Sequence, residues 1–214
     1  GEALRVLGFA YARLDGEPSA IDPLQEKLIW LGLVGMADPI RSIMPQVIQS
    51  FHEAGIETVM ITGDQSATAY AVGKELNLSR GNGLKILDST HLSGLDQPAL
   101  DALAPKVDVF ARVNPSNKLQ IVQALQRSGK VVAMTGDGIN DGPALKAADI
   151  GVAMGRSGTE VAREVADVIL EDDNLETMIV AVRQGRTIYG NIRKSVRFLL
   201  ATNLSEIIVM TTAL

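Results

Sequence analysis

The run Val131-Val132-Ala133-Met134-Thr135-Gly136-Asp137-Gly138-Ile139-Asn140-Asp141-Gly142-Pro143-Ala144-Leu145 carries more chemistry than any other part of the chain. Val131-Val132-Ala133 is β-branched and uncharged, with Gly129-Lys130 before it and glycines after, which predicts a short buried strand. Asp137 then falls just past the carboxyl end of that strand, the edge at which open α/β sheets bind their ligands. Gly136, Gly138 and Gly142 let the backbone turn tightly and come close to a bound group. Asp137, Asn140 and Asp141 put three oxygen-bearing side chains within five residues, and two carboxylates with an amide oxygen suit a hard cation such as Mg²⁺. The same residues also read as an acidic turn before a helix, with Asn140 or Asp141 as cap and Pro143 in the first turn. The two readings are compatible.

Further toward the amino terminus, Met60-Ile61-Thr62-Gly63-Asp64 repeats that run in miniature. A helix over residues 66–76 comes next, so Thr62 and the Gly63 amide lie at a strand-to-helix junction suited to an anion. A single Thr-Gly-Asp is a weak signal, whereas two of them on successive strands of an alternating pattern are a strong one. Between them, residues 107–113 predict a strand, and Asn114-Pro115-Ser116-Asn117-Lys118 opens a helix reaching Gln126. Lys118 in that first turn opposes the helix dipole, so it is either a solvated surface lysine or a cation held there for an anion.

The remaining segments extend the alternation. Residues 4–11 predict a strand with no partner nearby, and residues 28–36 a second one. Asp38-Pro39 starts a helix that runs to about Ala54, with Ile43, Val47, Ile48 and Phe51 on one buried face. Residues 78–105 are less patterned and read as a connecting elaboration, with a short helix over 97–103. Beyond the central run, residues 144–148 and 158–165 predict helices, and 150–154 and 168–170 predict strands. From residue 28 onward the order is strand, helix, strand, helix, which predicts an α/β domain with a parallel sheet and right-handed crossovers.

The chain has 214 residues, 46% of them apolar and 21% charged, enough for a large folded domain with appendages. Its net charge of −5 argues against a nucleic-acid surface. With no cysteine, disulfides and thiolate metal sites are excluded. The carboxyl-terminal part differs in kind. One long helix is predicted from Leu175, with five basic and no acidic residues across 183–197. Residues 196–214 are mostly apolar or small, and as a helix they would span about 28 Å, close to a bilayer core. The basic residues would place the amino end of such a span in the cytoplasm. Asn203 and Glu206, three apart on one face, interrupt the run. A buried helix of a soluble bundle is the alternative.

Thr62-Gly63-Asp64, Lys118 and the run from Thr135 to Leu145 together resemble successive motifs of the P-type cation-transporting ATPases, whose phosphorylation domain is of the haloacid dehalogenase type. Asp38-Pro39-Ile40-Arg41 is similar to the family's Asp-Pro-Pro-Arg hinge, with Ile40 departing from the second proline. Gly185-Arg186-Thr187-Ile188-Tyr189 through Glu206 resembles the stalk and fifth transmembrane helix of the calcium and sodium/potassium pumps. The resemblance implies a haloacid dehalogenase-like Rossmannoid sheet with helices on both faces, followed by a long stalk and membrane helix. It implies four segments: residues 1–20 from the end of a nucleotide-binding domain, 21–174 from the phosphorylation domain, 175–195 from the stalk and 196–214 from the membrane helix. Residues 1 to about 195 would then be cytoplasmic in a multi-pass membrane protein.

The same resemblance assigns roles. Asp137 matches the Mg²⁺ ligand, Asp141 its support, and Asn140 a phosphate contact. Thr62 and Lys118 match the groups that hold the transferred phosphoryl oxygens. Arg5, Arg41, Gly63, Asp64 and Arg112 match further ATP contacts, and Asn203 and Glu206 match ligands of the transported cation. The implied partners are ATP, that cation, membrane lipid and the rest of a parent pump, with no nucleic acid. The family's nucleophile is the first aspartate of Asp-Lys-Thr-Gly-Thr, which this sequence lacks. Its strand, central in the sheet, is therefore expected to be missing, and the chain to be a fragment that forms no phosphoenzyme alone. A soluble phosphatase of the same superfamily and an inactive regulatory module are the competing readings. The tail argues against the first and the absent nucleophile favours the second.

Overall fold

A computed structural model describes residues 5–12, 28–36, 39–79, 81, 83–92 and 94–213. The chain divides into two compact units, one of residues 1–48 and 58–117, the other of residues 49–57 and 118–214.

The first unit begins with β1 (Arg5–Tyr11) and β2 (Ile29–Met36), paired antiparallel from Arg5 opposite Met36 to Tyr11 opposite Ile29. The strand expected to lack a neighbour thus has one, across a connection that lies outside the described residues, as does the boundary expected after residue 20. Adjacent residues of β2 are exposed, Trp30 at 62% and Leu31 at 64%, so both faces of this ribbon present apolar surface. The helix expected from Asp38 is shorter. Asp38 lies outside the described residues, Pro39–Arg41 are irregular, and α1 covers Met44–Glu53. Met44 N–H bonds to Arg41 C=O at 2.9 Å, forming the turn into the helix. Pro45 occupies the first turn, where no N–H is required.

A parallel sheet comes next in the order β3-β5-β4, made of Met60–Ile61, Val109–Ala111 and Ile86–Asp88. Central β5 is fully buried, which is why it reads as an unbroken apolar run. α2 (Ser66–Glu75) packs on it, and Ile48, Ala69, Leu78, Val109 and Ala111 form the core, flanked by Met44, Met60, Leu76, Leu84 and Ile86. The stretch read as a connecting elaboration holds β4, α3 (Ser89–Leu92) and α4 (Gln97–Leu103), with Asp96 capping α4 through Ala99 N–H.

In the second unit α5 (Pro115–Arg127), which starts in the first, leads to a second parallel sheet, β6-β7-β8, of Ala133–Gly136, Ile150–Met154 and Val168–Leu170. α6 (Gly142–Ala147) and α7 (Glu160–Val165) connect these strands. β6 begins two residues later than expected, and Val131 is 83% exposed rather than buried. The cause is local: Asp149 Oδ2 takes the Val132 N–H at 2.8 Å. The strands of the expected parallel-sheet domain fall into two three-stranded sheets. Among the described residues β3 and β6 are each paired along one edge only. Ile121, Val122, Ala124, Leu145, Val152, Ala153 and Ala162 are buried here.

α8 runs unbroken from Glu176 to Thr212 and is buried only near its start, at Ile179. The expected membrane span at 196–214 needs correction. Among the described residues no helix is long and apolar enough to cross a membrane. Arg197, Asn203, Ser205, Glu206 and the threonines dilute the apolar content of this segment below that of a bilayer-spanning helix.

Phe110, fully buried in β5, is the largest side chain at the first unit's centre. Phe110→Ala should lower stability by about 3–5 kcal/mol, read as a fall in the urea midpoint at unchanged slope.

Candidate functional site

Most of the residues singled out in the sequence fall on two strand ends, one in each unit. In the first unit Thr62 comes directly after β3. Its N–H donates to Phe110 C=O at 2.9 Å, and its C=O accepts the Val113 N–H at 2.9 Å. Asp64 C=O accepts the Arg112 N–H at 2.8 Å. Arg112 reaches that bond with a φ of +55°, a left-handed conformation that costs a non-glycine residue about 1 kcal/mol. The Thr62 hydroxyl donates to Asp64 Oδ2 at 2.8 Å and accepts the Asp64 N–H at 3.1 Å. Asp64 thus orients the threonine hydroxyl, and exposed Gly63 sits between them at the turn.

The end of β4 adds a residue that the sequence reading missed. Asp88 Oδ2 accepts the Ser66 hydroxyl at 2.5 Å from the first turn of α2. Its Oδ1 accepts both the N–H and the hydroxyl of Thr90 at 3.0 Å. The Ser66 hydroxyl above all, then the Thr90 N–H, with a smaller pull from the Arg112 charge, lower the Asp88 carboxyl from 3.8 to about 2. An available signal was the apolar pair Ile86-Leu87 followed by Asp88-Ser89-Thr90, a strand tip that turns at once into polar donors.

In the second unit Asp137 is the first residue beyond β6 and is exposed. Its C=O accepts the Thr159 N–H at 2.8 Å. A 3₁₀ turn over Ile139–Asp141 then folds Asp141 back over the strand end. Asp141 Oδ1 takes the Lys118 ammonium at 2.5 Å, and Oδ2 accepts the Gly138 N–H at 3.3 Å. A Cβ on Gly136 would stand 2.6 Å from the Asp141 Cβ, so only glycine leaves room for this fold-back. Asp141 stands at the start of α6, but its side chain caps no N–H of that helix. Lys118 is not a solvated surface residue either, its side chain being 18% exposed.

The donor set fits Mg²⁺. Among the described residues no group of three or more His, Cys, Asp or Glu side chains could hold a metal. Magnesium is instead commonly bound by one or two carboxylates, with waters and substrate phosphate oxygens completing an octahedron. Asp137 and Asp141 are two carboxylates that could serve so: Lys118 and Gly138 engage both Asp141 oxygens, whereas Asp137 is exposed. Asn140 lies exposed on the intervening turn.

The other candidates stand on other elements. Arg5 opens β1 opposite Met36. Arg41 is exposed, with its carbonyl in the turn before α1. Asn203 and Glu206 are exposed on α8.

A model of haloacid dehalogenase-like hydrolases matches residues 9–149. The chain belongs to that family. Among this haloacid dehalogenase-like chain's relatives, the calcium-transporting ATPase of Bacillus subtilis is 49% identical over 214 residues, covering all of this chain and 24% of the relative. The P-type sodium-transporting ATPase4 of Toxoplasma gondii is 46% identical over 206 residues, covering 91% of this chain and 15% of the relative. The crystal structure of a zinc-transporting PIB-type ATPase in the E2.Pi state superposes with a TM-score of 0.60 at 28% identity, over 89% of this chain and 28% of that one. The chain thus spans about a quarter of the length of the calcium-transporting relatives it matches.

Two outcomes are expected of the site. Because the folded Asp88 carboxyl titrates near 2 against 3.8, its stabilising effect is complete above the unfolded value and lost as pH falls to the folded one. The urea stability of the wild type over Asp88→Asn should therefore be constant above about pH 5 and shrink until it disappears near pH 2. Lys118→Met strands a carboxylate that is 6% exposed and should cost about 3 kcal/mol at neutral pH, much of it recovered in the Lys118→Met/Asp141→Leu double variant.

Proposed function

We propose that this chain is the Mg-ATP-handling part of an ATP-driven cation pump, in which it supports phosphoryl transfer to an aspartate lying outside these 214 residues. The observation that carries the reading is the Lys118–Asp141 pair at 2.5 Å, on the turn that comes after exposed Asp137 at the tip of a parallel strand. The names of the relatives support it, since calcium and sodium pumps both match along 90% or more of the chain.

In this reading Asp137 binds Mg²⁺ and Asp141 supports it, while Lys118 presents an ammonium fixed in direction by Asp141. When bound, the metal supplies positive charge where the phosphoryl oxygens become more negative. The donors this reading assigns to the phosphoryl oxygens are the Thr62 hydroxyl and Gly63 N–H in the first unit and the Lys118 ammonium and Asn140 amide in the second. Arg5, Arg41, Asp64 and Arg112 contact the nucleotide. The strand bearing the aspartate adds to an open edge such as that of β3 or β6. Asn203 and Glu206 ligate the transported cation on α8, beyond its basic stretch 183–197. Residues 1–20 belong to a nucleotide-binding domain, 21–174 to the phosphorylation domain and 175–195 to a stalk that α8 continues. Calcium, sodium, potassium and protons all remain compatible with one asparagine and one glutamate.

The test is acid-stable phosphoenzyme formation from γ-labelled ATP. The 214-residue chain should give none. Joined to a segment carrying Asp-Lys-Thr-Gly-Thr in the full-length protein, it should give Mg²⁺-dependent label, which Asp137→Asn reduces about 100-fold or more. Label in the isolated chain, or full label in full-length Asp137→Asn, would overturn the reading.

A further inference from the structure

Asp137 is the candidate metal ligand, yet β6 ends one residue before it. What fixes its position is therefore a question about the backbone on either side. On the far side Asp141 holds the Gly138 N–H. At Asp137 itself the main-chain carbonyl is held by the Thr159 N–H at 2.8 Å, and Thr159 comes from the loop between β7 and α7.

Hydrogen bonds hold four of the five residues from 155 to 159. Gly155 N–H donates to Leu170 C=O at 2.8 Å. Gly155 C=O accepts the Arg163 guanidinium at 2.6 Å. The Asp173 carboxylate takes the Arg156 N–H on one oxygen at 2.9 Å and the Ser157 N–H on the other at 2.8 Å. Gly158 lies so close to Met154 that a Cβ would collide with the Met154 carbonyl oxygen. Thr159 ends the loop as the cap of α7, its hydroxyl accepting the Ala162 N–H at 3.3 Å. Asp173 reaches its two N–H groups from a left-handed backbone at φ +54°, and the Arg156 N–H, first among its partners, holds its carboxyl below the usual carboxylate value. A conformation that costs a non-glycine residue about 1 kcal/mol persists where the surroundings overdetermine it.

We propose that Thr159, through its main-chain N–H, and Asp173, through the 155–158 loop it clamps, are positioning residues that hold the Asp137 carboxylate in place for a divalent cation. The assignment rests on Asp137 being the metal ligand. It adds a support in which no side chain touches the ion: Asp173 fixes the loop, the loop fixes the Thr159 N–H, and the N–H fixes the peptide that carries the ligand. Groups that orient metal ligands in this way change metal affinity by about 10–100-fold when removed.

Mn²⁺ serves as the probe, its affinity for the 214-residue chain measured by water-proton relaxation, with melting followed by circular dichroism for each variant. Asp137→Asn tests the underlying ligand: unchanged Mn²⁺ affinity in that variant means the metal reading itself fails. With Asp137→Asn defective, Thr159→Pro, which deletes the N–H at a φ of −69° that proline accepts, should weaken Mn²⁺ about tenfold. Thr159→Ser, which keeps both N–H and hydroxyl, should bind as the wild type does. Asp173→Asn keeps the left-handed backbone accessible but turns one acceptor into a donor, and should weaken Mn²⁺ about tenfold while the melting temperature stays within a few degrees. Should Thr159→Pro fail to fold, Asp173→Asn alone decides. Wild-type Mn²⁺ affinity in Asp173→Asn, with Asp137→Asn defective, overturns the positioning assignment.

Discussion

A carboxylate removed from water must have its oxygens occupied, because an unpaired buried charge costs several kcal/mol. Asp141 meets that requirement with one main-chain N–H and one ammonium, and much of the second unit depends on it. The fold-back that reaches Gly138 excludes a side chain at Gly136. The ammonium requires a lysine in the first turn of α5, where a cation otherwise opposes the helix dipole. That position is followed by Ile121, Val122 and Ala124, all buried, so the same helix that carries the charge anchors itself in the core.

The two Thr-Gly-Asp stretches show how one short text acquires two geometries. At Thr62-Gly63-Asp64 the carboxylate turns back to the threonine hydroxyl two residues earlier, and Gln65-Ser66 leads straight into α2. At Thr135-Gly136-Asp137 the aspartate, exposed like Asp64, is followed by Gly138-Ile139-Asn140-Asp141, which inserts a 3₁₀ turn before the next helix. The second carboxylate of that turn takes over the internal bonding. The residues on the carboxyl side of each motif, rather than the motif itself, set its geometry.

Where apolar runs are bounded by turn residues, local pattern located the elements. β7 and β8 fall on the expected residues, as does α4. Pattern failed where a side chain replaces a ladder bond, as Asp149 does for Val132 ahead of β6. It failed for β4, whose Ile86-Leu87-Asp88 is too short to show any period. It could not pair β1 with β2, since antiparallel partners 18 or more residues apart leave no local trace, nor say how the strands divide between two sheets. At the site, Asp137, Asn140 and Asp141 read both as cation donors and as a capped turn, and Lys118 both as a solvated lysine and as a cation held for an anion; the Lys118–Asp141 pair shows it is not solvated. Asp88, Thr159 and Asp173 were not legible, since each acts through hydrogen bonds to backbone or hydroxyl groups that only folding brings within reach.

α8 begins three residues after Asp173, the residue that clamps the 155–158 loop. Asp173 holds residues 156 and 157, while its neighbours Asp172 and Asn174 bond to Thr177 and to the Glu176 N–H of the helix's first turn. The helix then continues for 37 residues, about 55 Å at the α-helical rise. A rod of that length is a lever: a tilt of about 10° at the Asp172–Asn174 fulcrum would sweep its far tip through about 10 Å. A tilt of that size would carry Thr212 through about the width of a helix.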